Sequence, residues 1–149
     1  MSSSTKPILG ITMGDPAGIG PEVIAKASAQ QSVYELARPI VVGDAAVIRE
    51  AVKIANVDTA VNPVGKVSEA RFEFGAVDVL DLKNVDIASL KLGAVSAMAG
   101  EASFDAVTTV ISLAMNHEID ATVTAPINKE SINKAGHHFS GHTEIYGEY

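Results

Sequence analysis

A chain of 149 residues, 47% hydrophobic and 19% charged, is long enough for one ordinary buried core and too short for two. Its formal net charge of −7 argues against a general attraction to nucleic acid or to an anionic membrane, and the absence of cysteine excludes disulfides, cysteine-based zinc sites and a thiol nucleophile. No apolar run approaches the roughly 20 residues of a membrane helix, and Gly10, Gly14 and Asp15 interrupt the first one before it could serve as a signal sequence.

In chain order, Pro7 to Thr12 reads as a short strand that runs into the loop Met13 to Pro21 and then a helix through Ala27, with Pro21 suited to a first helical turn. Pro39 to Gly43 reads as a buried strand, followed by a helix over Ala45 to Ala55 that Asp44 can cap. Thr59 to Val64 and Ala76 to Leu82 are candidate strands, separated by a turn near Gly65 to Glu69 with one helical turn. Ala99 to Met115 is an Ala-rich helix whose buried face is Phe104, Val107, Val110, Ile111 and Leu113. Ala121 to Ala125 forms a strand that Pro126 ends. Asn128 caps a short helix through Ala135, Gly136 takes the left-handed position after it, and another helix begins near Thr143. Strands alternating with helices predict an α/β fold with a mostly parallel sheet and flanking helices.

Three segments carry groups suited to chemistry. The loop Gly14-Asp15-Pro16-Ala17-Gly18-Ile19-Gly20 lies between strand and helix, where backbone N–H groups can face an anion, but its glycine spacing is neither a dinucleotide fingerprint nor a Walker loop. It reads either as an anion-facing turn or as a tight connection. Asn128 and Lys129 follow a strand end, where ligands of open α/β sheets collect. The alternative there is an ordinary helix cap and a solvated lysine. Between Gly136 and Glu144 stand His137, His138 and His142. Three histidines within six residues can suggest zinc, yet no carboxylate or cysteine completes a recognised spacing and adjacent histidines tend to point apart. His142 and Thr143, behind Gly141 at a helix start, make a better pair for an anion or hydroxyl, unless His142 simply packs locally.

Taken together, the run from Ile11 to Glu22, the run Thr124-Ala125-Pro126-Ile127-Asn128-Lys129-Glu130, and the run from Ala135 to Glu144 resemble the 4-hydroxythreonine-4-phosphate dehydrogenase family, which includes the related 4-phosphothreonate and 4-phosphoerythronate dehydrogenases. The resemblance implies an isocitrate and isopropylmalate dehydrogenase-like fold, two-lobed in the complete enzyme, with a cleft active site, in a cytoplasmic homodimer. It further implies that residues 1–149 are the N-terminal portion, with a C-terminal half absent, and that the chain alone is inactive. The implied reaction is NAD- or NADP-dependent and metal-dependent (Zn, Mg or Co) oxidation, with decarboxylation, of 4-phosphooxy-L-threonine in pyridoxine and pyridoxal phosphate biosynthesis. Within the motifs, His142 and Thr143 match the family's substrate contacts. Asp15, Asn128 and Lys129 match positions near the cleft. The metal-binding histidines and most nicotinamide contacts of the family have no counterpart before Tyr149, so no metal ligand is assigned. Two other readings stand beside this one: dehydrogenation of 4-phosphothreonate or 4-phosphoerythronate, and a non-catalytic binding or assembly module.

Overall fold

The computed structural model describes residues 5–149 and forms one five-stranded, wholly parallel sheet in the order β3-β4-β2-β1-β5. In chain order, β1 (Ile8–Thr12), α1 (Gly20–Ser28) and α2 (Gln31–Leu36) precede β2 (Arg38–Gly43), α3 (Ala45–Ala55) and β3 (Ala60–Val64). A single 3-10 turn, Val67–Glu69, leads into β4 (Ala76–Asp81), and α4 (Ala97–Met115), β5 (Ala121–Thr124), α5 (Lys129–Lys134) and α6 (His142–Glu148) follow.

The centre of the sheet is hydrophobic on both sides, as a parallel sheet covered on both faces demands. Successive side chains of β2 alternate between the faces. Val41 joins Ile24, Val47, Ile48, Val77 and Val79 under α1 and α3, whereas Ile40 and Val42 join Leu80, Ala106 and Val110 under α4. Ile40, Val41 and Val42 are fully buried, each contributing about 1.5–3 kcal/mol of apolar transfer. Pro63 sits in β3 without disrupting the ladder because β3 is an edge strand.

Most expected elements are present with ends displaced by a residue or so. α3 has the expected bounds: the Asp44 carboxylate accepts from the Ala46 and Val47 N–H groups at its start, and Asn56, at φ 51, closes its end. Asn128 caps α5 and Gly136 adopts φ 96. Two differences are physical. α4 starts at Ala97 rather than Ala99, because Ser96 accepts from the Ala99 N–H and draws another half turn into the helix. α2 was not anticipated; it is six residues long, lacks a side-chain cap and buries only Tyr34, so periodicity has little to register. Among the described residues no helix is long and apolar enough to cross a membrane.

Candidate functional site

β1 and β5 are neighbours, with Thr12 opposite Thr124, so the segments leaving their carboxyl ends emerge side by side. The Ala125 N–H donates to the buried Thr12 hydroxyl at 3.1 Å, and the Asp15 N–H donates to the Pro126 carbonyl at 2.9 Å. Gly14 makes this closeness possible. It sits at φ 75, and a Cβ there would lie 2.5 Å from the Pro126 carbonyl oxygen, so only glycine fits. Two of the three sequence-selected segments thus touch backbone to backbone.

Asp15 is buried at the base of its loop. Its Oδ1 accepts from the Ala17 N–H at 2.8 Å, and its carbonyl accepts from the Gly18 N–H at 3.0 Å. Burial pushes its carboxyl pKa above the usual range, opposed in part by the Ala17 N–H. The Ala17 and Gly18 amides are therefore spent inside the turn and the Asp15 amide on the Pro126 carbonyl, which favours the tight-connection reading over an anion-facing one. Asn128 likewise uses Oδ1 on the Ser131 N–H at 3.0 Å.

Lys129 is exposed and lies beside the third segment: a Cβ on Gly141 would stand 3.8 Å from the Lys129 Cε. The Glu144 carboxylate is held below its ordinary pKa by hydrogen bonds from Ser140 and, less strongly, by the Lys129 charge. The second and third segments are thus also neighbours. Gly141 itself is extended, at φ 163, with room for a side chain, so nothing in the backbone requires glycine ahead of His142.

His142 opens α6 and Thr143 follows it, exposed. The imidazole is half-buried and desolvation lowers its pKa, which favours the neutral ring near pH 7. Its Nε2 is buried with no hydrogen-bond partner, an unmet demand that ordinarily costs about 1–3 kcal/mol. The adjacent histidines point to different partners. His137 Nε2 lies 2.7 Å from Glu101 Oε2 and its ring stacks on Phe104, whereas His138 Nδ1 lies 3.1 Å from Asn133 Oδ1. Glu101 and Phe104 carried no sequence signal for this role, since a contact spanning 36 positions leaves no local pattern.

A cavity of about 260 Å³ opens behind the Asp15 loop, between α1, α3 and the irregular segment before α4. Pro16, Ala17, Pro21, Ala51, Leu90 and Leu92 line it, and none of Asn128, Lys129, His142 or Thr143 does. The Gly93 N–H donates to the Ala17 carbonyl at 2.7 Å and ties that segment to the loop.

A family profile described as pyridoxal phosphate biosynthetic protein PdxA matches residues 35–149. A solved structure titled 4-hydroxythreonine-4-phosphate dehydrogenase from Burkholderia phymatum superposes with a TM-score of 0.94 at 40% identity, covering 97% of this chain and 44% of that one. One from Klebsiella pneumoniae, with the same enzyme title, gives 0.86 at 35% identity over the same shares. A curated relative from Clostridium botulinum, named "Putative D-threonate 4-phosphate dehydrogenase", is 43% identical over 145 residues, which are 97% of this chain and 43% of the relative. The chain thus spans less than half the length of the relatives it matches.

Proposed function

The chain belongs to the family of pyridoxal phosphate biosynthetic protein PdxA, and from that premise we propose that it forms one wall of the active-site cleft of a nicotinamide-dependent dehydrogenase. The substrate class is a four-carbon hydroxy acid with a terminal phosphate, either 4-phosphooxy-L-threonine or D-threonate 4-phosphate. The relatives' names favour both, since the Clostridium botulinum relative carries the second compound and the Burkholderia phymatum and Klebsiella pneumoniae structures the first. In either case a secondary alcohol is oxidised to a ketone, a hydride passes to NAD or NADP, a proton is released, and the resulting β-keto acid loses carbon dioxide. The complete enzyme is proposed to be a homodimer that also holds a divalent metal.

The residues described here do not fit those last groups. No three His, Asp or Glu side chains among them converge on a common point, and the loop nearest the cleft has spent its Asp15, Ala17 and Gly18 amides within the chain. The contribution of this wall is therefore substrate binding and orientation. One observation carries that reading: the buried, partnerless His142 Nε2, on a ring biased to the neutral form, at the strand-end margin where Asp15, Lys129 and Thr143 also lie. A neutral imidazole offers a hydrogen bond without moving a proton, Thr143 adds a hydroxyl, and Lys129 adds a cation suited to phosphate or carboxylate. Which ring nitrogen carries the proton follows from the hydrogen bond made with substrate.

In the complete enzyme that bears this segment, His142→Ala is expected to raise KM and lower kcat/KM by about 1–3 kcal/mol, the usual size of a hydrogen bond to a charged group. Metal stoichiometry, measured by elemental analysis on the same preparation, is expected to stay at the wild-type value. Loss of metal with the side chain would show His142 to be a ligand and overturn the assignment.

A further inference from the structure

The chain between α5 and α6 has no regular structure, yet it sets where His142 and Thr143 stand. Together with α6 it is held against α4 at three points along one face. First, the His137 imidazole lies flat on Phe104, with centroids 3.7 Å apart and planes 11° from parallel, and its Nε2 meets the Glu101 carboxylate at 2.7 Å. Second, Phe139 packs on the same Phe104 ring, centroid to centroid 5.7 Å. Third, on the far side of His142, the fully buried Ile145 closes the cluster with Phe104, Val107 and Ile111. Glu101 and Phe104 are three residues apart on α4 and so share a face.

Glu101 thus fixes the ring plane of His137, Phe104 fixes its height, and the backbone from His137 to Gly141 inherits both constraints. The Glu101 side chain is 49% exposed and that of His137 is 26% exposed. A pair this open adds little to global stability, so its effect is on local geometry. The mate of His137 on the other side, His138, turns outward to Asn133 and contributes nothing to the clamp.

We propose that Glu101 and His137, with Phe104 as their platform, are positioning residues that hold the His142–Thr143 turn in register with the phosphorylated substrate. The inference rests on the reading of His142 and Thr143 as substrate contacts. Neither Glu101 nor His137 touches substrate; both act through the backbone that leads to Gly141. Positioning groups of this kind change how well a bound geometry is populated.

The test uses the complete enzyme with the variants Glu101→Gln, Glu101→Ala and His137→Ala, each checked by circular dichroism, and two readouts. Amide exchange over residues 137–146 is expected to speed up in Glu101→Ala and His137→Ala but not in Glu101→Gln, which retains an acceptor for the imidazole. KM for the phosphorylated hydroxy acid is expected to rise roughly threefold to tenfold in the two alanine variants, the range of one ordinary hydrogen bond, with kcat within about twofold and with the double alanine variant no worse than the weaker single. Unchanged exchange, or exchange that rises without any change in KM, overturns the proposal, as does equal loss of kcat and kcat/KM. His142→Ala is run in parallel. A wild-type KM there defeats the reading of His142, and with it the proposal, whereas a raised KM in His142→Ala beside a normal one in His137→Ala defeats the proposal alone.

Discussion

Asp15 shows how one buried carboxyl connects sequence, fold and pH. Its single resolved acceptor role is the Ala17 N–H, and burial raises its folded pKa above the ordinary 3.8. Below that value folded and unfolded chains are both protonated and the carboxyl costs the fold nothing. As pH rises through the window between 3.8 and the raised folded value, the unfolded chain loses its proton first, stability falls, and it remains reduced above the window. Asp15→Asn keeps an oxygen for the Ala17 N–H and removes the ionisation. Denaturant unfolding of the variant is expected to equal wild type in strong acid and to gain on it with rising pH; a pH-independent difference would rule the account out. His142 works in the opposite sense. Its folded pKa lies below the ordinary 6.5, so the stability present above 6.5 declines as pH falls toward the lowered value. Neither shift is legible in a sequence, because both come from burial, which only the folded chain creates.

At the scale of elements, the packing of α4 on α5 rests on Gly100. A Cβ there would stand 1.9 Å from the Ser131 carbonyl oxygen and 2.6 Å from the Ile132 nitrogen, and both are backbone atoms that cannot swing aside. Ser131, fully buried, also receives the Ser96 N–H on its hydroxyl at 3.3 Å, which ties the start of α4 to α5. Gly100→Ala must therefore part the two helices. A loss of about 1–3 kcal/mol is expected, the typical cost of forced overpacking, although alanine is the better helix former by up to about 1 kcal/mol. A variant as stable as wild type in urea unfolding would contradict the close approach. Gly100 gave no sequence cue, since a glycine within an Ala-rich helical stretch only lowers helix propensity. The parts that local chemistry dictates were readable: the Asp44 and Asn128 caps, the left-handed Gly136, and the buried apolar run of β2. Of the candidate site, the three segments were visible as motifs. Their mutual contacts were not: Gly14 meets Pro126 because the sheet order sets β1 beside β5, and Lys129 meets Gly141 because the chain folds back after α5, neither of which periodicity encodes.

For the whole molecule, the candidate residues crowd one margin of the sheet. They follow β1 and β5, and β5 is an edge strand of four residues in which Ala121, Val123 and Thr124 are exposed. Val123 stands 45% exposed there, and Tyr146 and Tyr149 on α6 are open as well. A wall of this form orients a ligand from one side only. Catalysis by proximity requires the alcohol, the hydride acceptor and the groups that polarise the alcohol oxygen to be fixed together within about 3–3.5 Å. Relatives carry more than half of their length outside the portion matched here, and no convergent set of metal-ligating side chains exists among the described residues. The 149-residue polypeptide by itself is therefore expected to give no reduction of NAD or NADP with 4-phosphooxy-L-threonine or D-threonate 4-phosphate, whether zinc, magnesium or cobalt is supplied. Joining it to the remaining length of a full-length relative is expected to give turnover that depends on His142. The measurement is nicotinamide absorbance against a blank lacking protein, with folding of each polypeptide confirmed beforehand by circular dichroism. Turnover by the folded 149-residue chain would mean that the second wall is dispensable and would move the catalytic groups onto residues described here, with Asp15 and Lys129 the first to replace.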